Sequence, residues 1–155
     1  MKKYLLSFAV IMMTALAFTA CENEENDEDL LGLSKMAFAG SAYMESSMHD
    51  VTINFDDYRN GVFYYTDRQD IDGQVVPVEI YAHFTYTLTG NKGALQINTV
   101  TAVTPKGVVN EPMPEGKGYL EFTYSASDPS IIVHDGGSIY VLKSAKYRKF
   151  NIPTH

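Results

Sequence analysis

The chain has 155 residues and a formal net charge of −7, but six of its 19 acidic residues fall within residues 22–29. The chain beyond them, residues 30–155, has 13 acidic and 10 basic residues, and this near-neutral balance gives no electrostatic reason to expect nucleic-acid binding. The roughly 120 residues after the acidic run match the usual size of one domain with a single core, and a lone cysteine excludes a disulfide framework.

Residues 1–20 have the three parts of a secretory signal peptide. Two lysines are followed by an apolar stretch over residues 4–18, and the small residues Thr19 and Ala20 come directly before Cys21. The apolar stretch is shorter than the ~20 residues that a membrane-spanning helix needs. The sequence therefore predicts an exported protein whose first 20 residues are removed.

Residues 18–21, with the sequence Phe-Thr-Ala-Cys, resemble the lipobox of bacterial lipoproteins. In that family the cysteine sulfur receives a diacylglycerol, the signal is cut before the cysteine, and the new amino group is acylated. The family usually has Leu where Phe18 stands, and Phe is also bulky and apolar. The resemblance implies that Cys21 is the lipid-attachment residue. The alternative is an ordinary signal peptide cut near Ala20, which would leave a free thiol in an oxidising compartment.

Residues 21–35 are predicted to be a tether, and their acidic run begins with Glu22, Glu24 and Glu25. The run resembles the surface-export signal of lipoproteins in a large group of Gram-negative gut and oral bacteria. That resemblance implies a location on the outer face of the outer membrane. The composition also fits a solvated spacer, because like charges repel and keep a chain extended. Both interpretations can hold together.

Residues 36–155 are predicted to form one all-β domain, because they are rich in β-branched and aromatic residues and are divided by turn signals. The clearest strand covers residues 78–88, where apolar side chains occupy every second position. A change of phase between Ile97 and Val100 predicts a bulge or a bend. In chain order, strands are predicted at residues 36–44, 51–55, 61–68, 74–88, 94–103, 120–124, 130–134 and 138–150.

Three further features punctuate this pattern. Asn60-Gly61 and Asp72-Gly73 predict hairpin turns, and the turn explains Asp72-Gly73 better than a calcium loop, which needs more oxygen ligands. Residues 105–117 contain three prolines and are predicted to be the longest break in the domain. This break is a candidate contact loop.

About eight strands joined mostly by hairpins predict an antiparallel meander that closes into an up-and-down barrel, with an open β-sandwich as the alternative. Residues 51–64, 84–91 and 140–150 resemble the hairpins and the closing strand of lipocalin-like bacterial lipoproteins. The chain has no tryptophan, which that family often has in its first strand. The resemblance implies a lipocalin-like barrel but no particular ligand.

The sequence lacks the motifs of nucleophilic, metal-dependent or phosphate-binding enzymes. No catalytic residue, cofactor or metal site is therefore predicted, and its four histidines have no metal-ligand spacing. The aromatic residues are the candidate contacts, since tyrosine pairs an apolar ring with a polar tip. The alternative is cross-strand aromatic packing in a filled barrel. The tyrosines selected as possible ligand or partner contacts are Tyr64, Tyr81, Tyr119 and Tyr140.

The predicted last strand carries a basic cluster, formed by Lys143, Lys146, Arg148 and Lys149. Such a cluster could meet an anionic surface, although basic residues more often blunt an edge strand. Taken together, the sequence predicts a lipid-anchored binding module for a small apolar or amphiphilic ligand or for an envelope protein partner. An immunity or inhibitor protein and an accessory subunit of an outer-membrane complex are the alternatives.

Overall fold

The structure, a computed structural model, describes residues 33–44 and 47–154. The predicted signal segment, Cys21 and the acidic residues Glu22, Glu24 and Glu25 lie outside the described residues. No helix in the described ranges has the length and apolar character needed to cross a membrane. The strands are β1 (Met36–Met44), β2 (Ser47–Phe55), β3 (Asn60–Ile71), β4 (Gln74–Thr89), β5 (Lys92–Thr104), β6 (Gly107–Pro112), β7 (Tyr119–Ser125), β8 (Ser130–Asp135) and β9 (Ser138–Ala145).

The strands form one antiparallel sheet in the order β4-β3-β2-β1-β9-β8-β7-β5-β6, and pairing between β4 and β5 closes it into a barrel. One long strand, β5, is shared by two shorter ones: its first part pairs with β7 and its second part with β6. The barrel therefore has eight strands, and β6 is one extra strand on the second part of β5. The predicted all-β class and closed meander are confirmed.

The alternating pattern of the sequence separates the two faces of the wall. On β4 the even-numbered residues from Val78 to Leu88 are all buried, because successive side chains of a strand point to opposite faces. Residues paired across strands share a face, so Phe38, Ile53, Phe63 and Ala82 form one inward row across β1, β2, β3 and β4.

The predicted irregularity in β5 is confirmed as a β-bulge. His83 pairs with Thr99 and Phe84 pairs with Ile97, so Asn98 is the extra residue. Insertion of one residue restores the inward direction of the apolar side chains on both sides of the bulge. The turn at Asp72-Gly73 also forms as predicted, and both residues have positive φ (56° and 84°).

The predicted break at residues 105–117 is wrong over its first half, because residues 107–112 form β6. Pro112 is tolerated because it is the last residue of an edge strand and needs no ladder hydrogen bond on the open side. Residues 113–118 then cross to the start of β7. They are held by hydrogen bonds from Met113 N to Asn98 O and from Ile97 N to Gly118 O.

Two other boundaries differ from the prediction. The last strand ends at Ala145 and not at residue 150, because the chain leaves β1 there and packs elsewhere on the barrel. Asn60 and Gly61 lie in β3, and the turn is made by residues 56–59. Asp57 forms this turn by accepting hydrogen bonds from the backbone N of Arg59 and Asn60, both at 2.8 Å.

We predict that Gly93→Ala lowers the free energy of unfolding by about 1–3 kcal/mol, a usual cost of overpacking a core. A Cβ at Gly93 would lie 2.3 Å from Cζ of the buried Phe122 ring. The matched control is Gly137→Ala, because a Cβ there meets no atom within 4 Å and should change stability by less than about 0.5 kcal/mol. Urea unfolding followed by circular dichroism measures both, and equal effects would contradict the packed interface between β5 and β7.

Candidate functional site

The interior of the barrel is packed with its own side chains. Phe55 lies at the centre of an aromatic cluster, with its ring centroid 4.7 Å from that of Tyr86, 5.7 Å from Phe84 and 5.8 Å from Phe122. Edge-to-face contacts of this kind contribute about 0.5–1.5 kcal/mol per pair beyond the buried area. The apolar side chains that line the interior are therefore used in packing against one another.

Tyr140, a predicted contact residue, lies inside this interior. Its side chain is 4% exposed, and its hydroxyl donates a 2.9 Å hydrogen bond to Oδ2 of the buried Asp135. Burial and the neighbouring carboxylate raise the pKa of Tyr140. The bond satisfies two buried polar groups and fixes the ring in the core.

The outer face of β2, β3 and β4 is covered by residues 146–154, which we call the C-terminal strap. Nδ2 of Asn54 donates to the carbonyl of Arg148 at 2.7 Å. The ring of Phe150 lies 5.1 Å from that of Tyr64 and 5.7 Å from that of Tyr81. Two predicted contact residues, Tyr64 and Tyr81, thus pair across β3 and β4 and contact the strap. Tyr81 is buried although it points outward.

The two tyrosines beside the strap hold their protons more tightly than a free tyrosine does. Burial, followed by the charge of Glu79, raises the pKa of both Tyr64 and Tyr81. The hydroxyl of Tyr81 donates to Oε1 of Glu79 at 3.1 Å, which further favours the protonated phenol. Both rings therefore remain neutral packing elements well above physiological pH.

Tyr119, the fourth predicted contact residue, lies at an open groove on the outer wall. This outer groove has a volume of about 360 Å³. It lies over β4, β5 and β7 beside the start of β3, away from the other three tyrosines. Its side chains combine apolar surface with amide, hydroxyl and guanidinium groups, and it is lined by Arg59, Asn60, Thr85, Tyr86, Thr87, Ala94, Leu95, Gln96 and Tyr119.

A second open surface, which we call the outer apolar patch, spans the neighbouring strands β2, β1 and β9. It consists of Tyr43, Met48, Ile139 and Val141, each at least 50% exposed. Tyr43 and Met48 are direct partners between β1 and β2. All four point away from the barrel interior, because their neighbours along each strand are the inward residues. Ser41, Asp50 and Lys143 provide a polar surround on the same strands.

No group of three or more His, Cys, Asp or Glu residues in the ranges 33–44 and 47–154 could hold a metal ion. His83 faces outward and its Nε2 lies 3.0 Å from Oγ1 of Thr101. The Thr101 hydroxyl donates to Oδ1 of Asn110, so Nε2 of His83 is the donor in this chain. The network joins β4, β5 and β6, and burial lowers the pKa of His83.

Comparison of the chain with protein-family models, curated proteins and solved structures gives no match. The surfaces must therefore be interpreted from their own chemistry. Sequence reasoning selected aromatic residues but missed the outer apolar patch. The sequence feature that could have predicted this patch is the position of Ile139, Val141 and Tyr43. All three occupy outward positions of their strands, where polar residues are usual.

We predict that strap contacts weaken in alkaline solution through Tyr147. Its hydroxyl donates to Oδ1 of Asp56 at 2.7 Å. Burial, this bond and the charges of Asp56 and Asp57 raise the pKa of Tyr147 to about 12, from an ordinary value of about 10. The folded state holds this proton more tightly than the unfolded state does. The resulting stability is complete below pH 10 and is lost as the pH rises through about 12.

Unfolding free energies of the wild type and Tyr147→Phe, measured from about pH 9 to 12, should converge at the alkaline end as this contribution is lost. Absorbance at 295 nm follows tyrosine ionisation in the same samples. Tyr43→Phe, which removes an exposed phenol on the outer apolar patch, is the control and should follow the wild type. A constant stability difference between the wild type and Tyr147→Phe across this range would contradict the Tyr147–Asp56 contact.

Proposed function

We propose that this protein is a lipid-anchored lipoprotein of the outer-membrane surface that binds an envelope protein partner through the outer wall of its barrel. The observation that carries the choice of a protein partner is the outer apolar patch. Contiguous exposed apolar side chains within a polar surround are typical of protein–protein contact surfaces. Tyr43 and Met48 supply large, adaptable contact area within it.

The packed interior supports the same choice. A lipocalin-like carrier holds its ligand inside the barrel, which requires unfilled volume, whereas in this barrel buried aromatic rings pack around Phe55. A binding function on the outer wall needs no such volume. The barrel then acts as a rigid scaffold, which suits a module that presents a surface at the end of a tether.

A second candidate is a small amphiphilic ligand in the outer groove. The groove volume of about 360 Å³ falls in the range of small-molecule sites, and Tyr119 offers an aromatic surface beside Gln96 and Arg59. An immunity or inhibitor protein and an accessory subunit of an outer-membrane complex are particular forms of the protein-binding function. The anchor and the absence of enzyme motifs suit each of them.

We predict that Cys21→Ala abolishes lipid attachment. Without the sulfur no diacylglycerol can be added, and the signal segment should remain on the chain because the lipidated cysteine marks the cut. Metabolic labelling with a radioactive fatty acid and mass spectrometry of the membrane fraction measure both effects, with Thr19→Ser as a control that should be processed normally. A cleaved, unlabelled wild-type chain would contradict the anchor.

The acidic residues after the cysteine are tested separately. Replacing Glu22, Glu24 and Glu25 together with glutamine should leave lipid labelling intact but make the domain inaccessible to protease added to whole cells. The substitution removes charge and retains size and polarity. Equal protease accessibility of the variant and the wild type would show that the run acts only as a spacer.

We predict that a photoreactive amino acid placed at Met48 or Val141 forms a discrete adduct with one envelope protein in whole cells. The matched control is Val75, which is 58% exposed at the start of β4 and lies outside the outer apolar patch. Adducts at both patch positions and none at Val75 support the proposal. Adducts only from a probe at Thr87, beside the outer groove, would contradict it and favour the groove.

A further inference from the structure

The C-terminal strap presents three positively charged side chains to solvent. Lys146, Arg148 and Lys149 are all exposed, and no carboxylate in the described part of the chain forms an ion pair with any of them. The strap is held instead by the ring of Phe150, the carbonyl of Arg148 and the hydroxyl of Tyr147. Its cationic groups are thus available for a contact that the barrel itself does not supply.

The described chain begins directly beside this strap. Backbone N of Lys35 donates to the carbonyl of Phe55 at 2.7 Å, and the preceding residue of β2, Asn54, donates to Arg148. Two consecutive residues of β2 therefore hold the entering chain and the strap. The Lys35 ammonium lies 5.5 Å from the centroid of the Tyr147 ring, which adds a fourth cation at the point of entry.

Only a short piece of chain separates the acidic run from the barrel. Asp29, the last residue of the acidic run, is four positions before Leu33, where the described chain begins. Four extended residues span at most about 14 Å. The acidic run therefore ends within about 14 Å of Leu33, close to the point where β2 holds both the entering chain and the strap.

We propose that the acidic run, residues 22–29, docks on the C-terminal strap as an intramolecular partner. Its six carboxylates face three strap cations and Lys35, while Asp56 and Asp57 of the nearby turn offset part of that positive charge.

A single exposed ion pair is weak. Because the acidic run belongs to the same chain, its effective concentration at the strap is on the order of millimolar. Several weak ion pairs can therefore act together. The docked run orients the domain relative to whatever holds residue 21, and this inference does not depend on the lipid.

The alternative occupant of the strap is an anionic membrane surface. The acidic run is favoured because it is joined to the barrel beside the strap and carries the complementary charge. Docking of the run would also shield the strap from phosphate groups. The two occupants compete for the same cations, so one experiment can separate them.

Carbodiimide cross-linking of the full chain tests the contact, because it condenses a carboxylate and a lysine amine that touch, with loss of one water. We expect cross-links from residues 22–29 to Lys146, Lys149 or Lys35 at low salt and at least about a fivefold loss near 1 M salt, where the screening length is about 3 Å. The Lys143–Asp128 pair, 3.1 Å apart, is the internal reference. Equal cross-linking to Lys92 and Lys106 would overturn the proposal.

Cross-linking cannot be used on variants that lack the reactive lysines. Protease cleavage of the acidic run tests those variants instead. The triple change Lys146→Gln, Arg148→Gln and Lys149→Gln should speed cleavage of residues 22–29 by a glutamate-specific protease several-fold. The control Lys92→Gln with Lys106→Gln should leave the rate unchanged. The strap retains its backbone carbonyl and Phe150 in the triple variant, and thermal unfolding checks that the fold is kept. An unchanged cleavage rate in the triple variant would overturn the proposal.

Vesicles with about one third anionic lipid provide the competing arm, since such a surface attracts clustered basic residues. Cross-links from residues 22–29 to the strap that persist with vesicles present support docking of the acidic run. Loss of those cross-links, together with vesicle binding that the triple variant lacks, would assign the strap to the membrane and overturn the proposal.

Discussion

Aromatic packing around Phe55 is the constraint on which the rest of the structure depends. Four rings, those of Phe38, Phe84, Tyr86 and Phe122, have centroids within 6 Å of the Phe55 ring. Phe38 comes from β1, Phe84 and Tyr86 come from β4, and Phe122 comes from β7, while Phe55 itself lies in β2. One cluster therefore joins strands that are far apart in sequence. The cluster occupies volume inside the barrel, which supports the proposal of a recognition surface on the outside.

The outer wall is accordingly divided into regions with different chemistry. The C-terminal strap covers β2, β3 and β4, the outer groove lies over β4, β5 and β7, and the outer apolar patch lies on β2, β1 and β9. The patch combines four largely exposed apolar side chains with regular strand backbone. Its strand backbone is already ordered, so a partner has to fix only the side chains. This is the physical basis for choosing it as the partner surface.

Local signals in the sequence were enough to predict the barrel strands, the bulge at Asn98 and the Asp72-Gly73 turn. Period-two alternation and glycine chemistry depend on neighbouring residues alone. The end of β9 and the contacts of Tyr64 and Tyr81 with Phe150 could not be predicted, because they depend on the strap. The bond from Asn54 to Arg148 joins residues 94 positions apart, and no local pattern encodes it. The short strand β6 was missed because Pro112 indicates a break unless the open edge beside it is known.

Native mass spectrometry of the purified protein, released gently from detergent, is the most direct measurement of whether recognition belongs to the outer wall. A packed interior predicts a single species whose mass equals that of the polypeptide with the lipid proposed at Cys21. A stoichiometric small molecule that stays bound, and that is lost when Phe55 is replaced by leucine but not when Tyr119 is replaced by alanine, would contradict it. Such a result would place a ligand inside the barrel.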